Sequence, residues 1–216
     1  MQTQLLQRWL NAGEHIGGWK IGMTSGASRN AMGDGIRPFG FVLKSRIVES
    51  GSILPVQPLH RGQVENELCF VMQHALGADA TPESAQAAVG GILPAFEINQ
   101  KRLPADVSAG VRVADNLSNW GIAIGAAVAP IRDLSALEVT LSNTNGDVIE
   151  QVPSAGHIDD HYLSLATLAQ RLAAFGQQLQ PGQFVITGAY GKTPFAPGAY
   201  QGRFSLGIGD VEIQLQ

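Results

Sequence analysis

The chain has 216 residues, of which 44% are hydrophobic and only 15% charged, with a formal net charge of −4. That length supports one sizeable core, and the lack of any basic run argues against nucleic acid as a partner. No apolar stretch reaches the roughly 18 residues of a membrane span, and a lone cysteine, Cys69, excludes an internal disulfide framework or a thiolate metal cluster.

The 26 glycines and 11 prolines point to strands and tight turns rather than a helix bundle. The opening MQTQLLQRWLNAGEH lacks the basic start and continuous apolar block of a signal peptide, so a soluble cytoplasmic protein is expected. Leu5, Leu6, Trp9 and Leu10 recur at helical spacing within 3–12. GWKIGM (18–23) reads as a short strand, and Ser25 as the cap of a short helix running to Met32. Pro38, Gly40 and Gly51 break 36–54 into short extended pieces. ELCFVM (67–72) reads as a strand, and Thr81-Pro82-Glu83 opens a helix with Thr81 as its cap.

ILPAFEI (92–98) and NWGIAIGAAV (119–128) are apolar and extended. Asn145-Gly146 between LEVTLSN and DVIEQV is a hairpin signal. Residues 158–175 predict the clearest helix, with Leu165, Leu168 and Leu172 as its stripe and Gly176 as its stop. RFSLGIGDVEIQL reads as two strands around Gly209-Asp210.

Within VENELCF, Glu65 and Glu67 stand two apart, so on a strand both face the same side, with Cα atoms roughly 7 Å apart. They are either a solvated face or a pair converging on one cation. Cys69 and Val71 share their face, which therefore does not stay polar. Glu97, ending LPAFE, is either a strand's exit to solvent or a third ligand. Three carboxylates without a His or Cys cluster would favour a hard ion, Mg²⁺ or Mn²⁺.

Lys20, between Trp19 and Ile21, needs a partner or a task. Asp115, Asn116 and Ser118 form either a capping turn or a polar site. ITGAYGKTPFAPG (186–198) is either an anion-binding loop or a long turn. His157 and His161 stand four apart without the Glu of an H-E-x-x-H motif, which favours a capping or surface role. Cys69 reads as a core residue rather than a nucleophile.

Five segments in order, GWKIGMTS, VENELCF, LPAFEI followed by Arg102, VADNLSNWG and ITGAYGKTPFAPG, resemble the 2-oxo-pent-4-enoate hydratase and 4-oxalocrotonate decarboxylase family of the fumarylacetoacetate hydrolase superfamily. The resemblance covers nearly the whole chain. It implies a strand-rich α+β fold, a rolled mixed β-sheet with short flanking helices. The chain is read as a single catalytic domain, with a helical segment at about 1–16 and a β-rich core at about 17–216.

The resemblance also implies that Glu65, Glu67 and Glu97 hold Mg²⁺ or Mn²⁺. Lys20, Ser118 and the A-D-N residue Asp115 take catalytic roles. Thr187 and Gly188 lie near the substrate carboxylate, and Met32 and Arg37 are counted with them as substrate-binding positions. The expected partner is a small 2-oxo acid, and the expected assembly is a homo-oligomer.

Some positions depart from the family pattern. Pro38, beside Arg37, stands where an acid is common before the Phe39-Gly40 pair. Asn99-Gln100-Lys101 replaces a more apolar stretch, and the late loop ends PGAY rather than PGD. The leading expectation is a hydratase that adds water to a 2-hydroxy-2,4-dienoate, giving a 4-hydroxy-2-oxo acid. The alternatives are a decarboxylase of a 2-oxo diacid such as 4-oxalocrotonate, an acylpyruvate-type hydrolase, and a degenerate partner subunit of an active homologue. A hydrolase would want a water-activating His/Glu pair, and His15 and Glu14 lie near Lys20 in the sequence without being assigned that role.

Overall fold

The computed structural model describes every residue except His60 and Thr144. Helix α1 (Gln2–Asn11) leads into strand β1 (Ile16–Ile21), and three short strands follow, β2 (Phe39–Leu43), β3 (Ile47–Glu49) and β4 (Ser52–Leu54). Strand β5 (Gly62–Met72), helix α2 (Pro82–Ala88) and strand β6 (Val89–Gln100) come next. Helix α3 (Ala109–Ala114) precedes β7 (Asn119–Ile124), β8 (Glu138–Asn143), β9 (Val148–Pro153) and helix α4 (His161–Ala173). Strands β10 (Phe184–Pro194), β11 (Gly198–Phe204) and β12 (Gly209–Leu215) finish the chain.

The strands form two mixed sheets, one of seven in the order β2-β1-β10-β5-β6-β7-β3 and one of five in the order β4-β12-β11-β8-β9. Strand periodicity explains what each face carries. Val64, Leu68 and Phe70 of β5, with Phe96 and Ile98 of β6, enter the main core together with Leu165, Leu168 and Leu172 of α4 and Leu141, Val211 and Ile213 of the smaller sheet. The alternate residues Cys69, Leu93, Ala95 and Ile186 build a second apolar cluster on the opposite face. Both faces of the central strands are therefore covered, which is why β5 and β6 read as long apolar runs.

Several predicted elements hold with shifted bounds. Thr81 caps α2 in a reciprocal capping box with Ser84. Helix α4 begins at His161, where the Asp160 side chain accepts from Leu163 N–H. The Asn-Gly hairpin is present, with Gly146 at φ 80° and Asn143 Oδ1 accepting from the Asn145 and Asp147 N–H groups.

Two local expectations fail. Ser25 caps no helix to Met32. Only a single turn at Gly26–Ser28 forms, without a side-chain cap, because Gly26, Asn30, Gly33 and Gly35 take left-handed φ and break any helical run. The last hairpin turns at 205–208, not at Gly209-Asp210, since Gly209 already pairs with Phe204 and Asp210 with Arg203.

Candidate active site

Lys20 of β1, Glu65 and Glu67 of β5 and Glu97 of β6 share one face of the seven-stranded sheet, the face of the second apolar cluster. Glu65 and Glu97 are direct cross-strand partners in the β5–β6 ladder. Like charges so placed oppose strand pairing unless something neutralises them. One oxygen from each of the three glutamates lies within 4.8 Å of the others. At that distance two carboxylates repel by about 3 kcal/mol at an effective dielectric near ~20.

Glu67 and Glu97 are buried and Glu65 is half-buried, so the solvated-face alternative does not hold. Burial, joined by the charge of Glu97, pushes the Glu65 carboxyl above the usual carboxylate range. The same two causes raise Glu67 well above it. Lys20 is ion-paired with Glu97 Oε1, which also accepts from Asn119 Nδ2 at 2.8 Å. Burial works to lower the Lys20 pKa, but the charges of Glu97, Glu67 and Glu65 outweigh it and leave it raised. Gly40 permits this packing, since a Cβ there would stand 2.9 Å from Lys20 Cγ and 3.0 Å from Asn116 Oδ1.

Lys20 pairs with one of the three acids, Glu97, and leaves Glu65 and Glu67 without an ion pair among the described residues. Glu97 Oε2, fully buried, has no hydrogen-bond partner among the described residues. An orphaned carboxylate oxygen beside two further carboxylates fits a divalent cation, and an all-oxygen donor set fits a hard one.

A cavity of about 220 Å³ opens onto this face, and Ser118, Leu117 and Gly188 line it beside the acids and Lys20. Asn116, Leu117 and Ser118 all hold left-handed φ, at 58°, 52° and 64°. Each such non-glycine residue costs about 1 kcal/mol or more and persists only where its surroundings over-determine it. The clamp here is Asn116: its Oδ1 accepts from Phe41 N–H and its Nδ2 donates to Phe41 O, both at 2.8 Å. That bond pair ties the strained loop to β2 and sets Leu117 and Ser118 into the cavity wall.

The remaining predicted site residues lie elsewhere. Asp115 turns away to Arg102, with Nε and Oδ1 3.0 Å apart, and does not line the cavity. Arg37 pairs with Asp159 at 2.7 Å, and neither it nor the half-buried Met32 reaches the cavity lining. Thr187 is fully buried, and its hydroxyl meets His161 Nδ1 at 2.7 Å on the far side of the sheet. Glu14 accepts from Ser45 Oγ on the surface, and neither it nor His15 lines the cavity. Cys69 is buried, and burial raises its thiol far above the range of a nucleophile.

Sequence reasoning missed Asn119, Lys101, Arg112 and the true setting of His161. His161 is only 3% exposed, not a surface cap. Its signal was present: at four and seven residues before Leu165 and Leu168 it continues the apolar stripe of α4. Asn119 opens a buried strand opposite Asn99, a polar pair in an apolar setting. Lys101 and Arg112 carried no pattern that placed them on the cavity wall.

No protein-family model matches the chain. It is 30% identical over 196 residues to a 4-oxalocrotonate decarboxylase of Pseudomonas sp., covering 88% of this chain and 74% of that one. It is 30% identical over 183 residues to a 2-keto-4-pentenoate hydratase of Burkholderia vietnamiensis, covering 83% and 70%. The solved 4-oxalocrotonate decarboxylase from Pseudomonas putida G7, complexed with magnesium and adipate, superposes with a TM-score of 0.90 at 28% identity, over 100% of this chain and 83% of that one. No helix among the described residues is long and apolar enough to cross a membrane.

Proposed function

Because the chain belongs to the 2-oxo-pent-4-enoate hydratase and 4-oxalocrotonate decarboxylase family of the fumarylacetoacetate hydrolase superfamily, we propose that it is a metal-dependent hydratase. It would add water to a 2-hydroxy-2,4-dienoate to give a 4-hydroxy-2-oxo acid. The observation that carries the metal dependence is the direct pairing of Glu65 with Glu97, with Glu67 alongside and one Glu97 oxygen unpartnered.

Glu65, Glu67 and Glu97 would hold Mg²⁺ or Mn²⁺. When bound, the cation would supply Lewis acidity to the substrate's carboxylate and 2-oxo group. Lys20, kept protonated by its acidic neighbours, would hold negative charge that develops on the substrate oxygen. The Ser118 hydroxyl, set into the cavity wall by the Asn116 clamp, would hydrogen-bond substrate or water. Leu117 supplies an apolar wall for the hydrocarbon part.

Lys101 and Arg112 favour a second reading, decarboxylation of a 2-oxo diacid. Both line the same cavity and neither has an ion-pair partner among the described residues. A second carboxylate at the far end of a substrate would neutralise them. The same proposal carries a cytoplasmic homo-oligomer, which size-exclusion chromatography with light scattering tests.

Turnover separates the readings. The full chain with Mn²⁺ is given 2-hydroxypenta-2,4-dienoate and, separately, 4-oxalocrotonate, then EDTA. Consumption of the dienoate, abolished by EDTA, supports the hydratase. Consumption of the diacid alone, with CO₂ released, supports the decarboxylase. Consumption of neither rejects both.

A further inference from the structure

The Thr187–Gly188 peptide lies where β10 bulges against β5. Its N–H, on Gly188, donates to Glu67 Oε2 at 2.5 Å. Its carbonyl, on Thr187, accepts from Thr24 Oγ1 at 2.8 Å. Gly188 holds φ at 134°, and a Cβ there would stand 2.1 Å from Thr24 Oγ1, so only glycine admits this hydroxyl. Behind the sheet, Thr187 Oγ1 is 2.7 Å from His161 Nδ1, and His161 Nε2 is 2.6 Å from Tyr190 OH. Tyr190 OH is in turn 2.6 Å from Ser154 Oγ. All four side chains are buried.

We propose that His161 is a positioning residue: the Ser154–Tyr190–His161–Thr187 chain holds the Thr187–Gly188 peptide from behind the sheet, aims the Gly188 N–H at Glu67, and so presets that carboxylate for a divalent cation. The inference rests on the metal-binding reading above. Glu67 sits among like charges and, unrestrained, would rotate away from them; a fixed N–H donor selects the rotamer that keeps it with Glu65 and Glu97. A neutral imidazole offers one donor and one acceptor, so it completes a bond on each side at once. Its loss would leave the Thr187 and Tyr190 hydroxyls short of a partner in the core. Partners that orient a ligand typically govern its metal affinity by about 10–100-fold.

The test is Mn²⁺ binding to the full chain by isothermal titration calorimetry, with Mn²⁺ alone as probe, well below the Tm of every variant. His161→Asn places its amide near the Nδ1 position and keeps a partner for Thr187. His161→Gln reaches the Nε2 position and keeps only the Tyr190 side, and His161→Phe keeps neither. The Phe and Gln variants are expected to weaken Mn²⁺ binding about tenfold, with Asn restoring it to within about twofold. Leu168→Ala, a packing change on the same helix, is expected to lower Tm and leave Mn²⁺ affinity unchanged.

An Asn variant as weak as Phe, a Leu168→Ala loss as large as theirs, or three His161 variants that bind like wild type would each overturn the inference while leaving the metal reading intact. A wild-type chain that binds no Mn²⁺ overturns the metal reading and this inference with it.

Discussion

Glu97 and Glu65 face each other across one ladder, yet their surroundings make them unequal. Glu97 is the partner of the buried Lys20, whereas Glu65 is half-buried and has no ion pair among the described residues. Removing one member of a buried pair strands the other charge, at a cost of about 3–5 kcal/mol. Glu97→Gln is therefore expected to destabilise the metal-free protein by about 3 kcal/mol. Glu65→Gln removes a like-charge contact and is expected to leave it unchanged or raise it by about 1 kcal/mol. Both should lose the Mn²⁺-induced rise in Tm. Urea unfolding in EDTA, then melting with Mn²⁺, checks the pair, and equal metal-free stabilities would contradict the assignment. At this scale the two-residue spacing of Glu65 and Glu67 was legible, because strand periodicity is local. The opposition of Glu65 and Glu97 was not, because register between strands is set by turns and packing far from either residue.

Among the elements, the loop from Asp115 to Ser118 carries the clearest consequence. Three successive left-handed residues are held by one side chain, Asn116, bonded twice to Phe41. Asn116→Ala would leave a buried N–H and C=O of β2 unpaired, at a cost of about 2–4 kcal/mol. The freed loop would relax, so Ser118 should withdraw from the cavity. Expected outcomes are a lower urea midpoint and a fall in kcat with Mn²⁺ affinity retained. Loss of Mn²⁺ affinity together with kcat would show that the loop also supports the acids. The VADNLSN segment was legible as polar and turn-like, but capping turn and site were indistinguishable in sequence. A capping residue and a clamp use the same Asn chemistry, and only the position of β2 decides between them. The β10 bulge at Thr187–Gly188 was equally hidden, since its glycine is required by Thr24, which lies far away along the chain.

Across the whole molecule, pH and metal should both be visible in stability. Burial holds His161 down to about 3, so it stays neutral in the folded protein while the unfolded chain protonates it below about 6.5. The folded His161 pKa is depressed, so its contribution is fully present above the unfolded pKa and is lost as pH falls toward the folded one. Between pH 7 and 5, wild type should lose about 2 kcal/mol more stability than His161→Asn. Urea unfolding of the two proteins at both pH values reads this difference, and parallel losses would refute it. Mn²⁺ at 100 times its Kd should add about 2.7 kcal/mol, a rise of about 5–11 °C in Tm for a chain of this size.

The sequence by itself determined the strand-rich class, the apolar runs of the central strands, the helix capped by Thr81 and the family, because these follow from periodicity, local capping chemistry and ordered motifs. Only the tertiary structure decided that Glu65 opposes Glu97, that Asp115, Met32 and Arg37 stand outside the cavity, and that His161 is buried behind Thr187. Each depends on which strands lie side by side and on which face a bulge turns a residue, and long-range pairing of that kind leaves no mark in the local pattern.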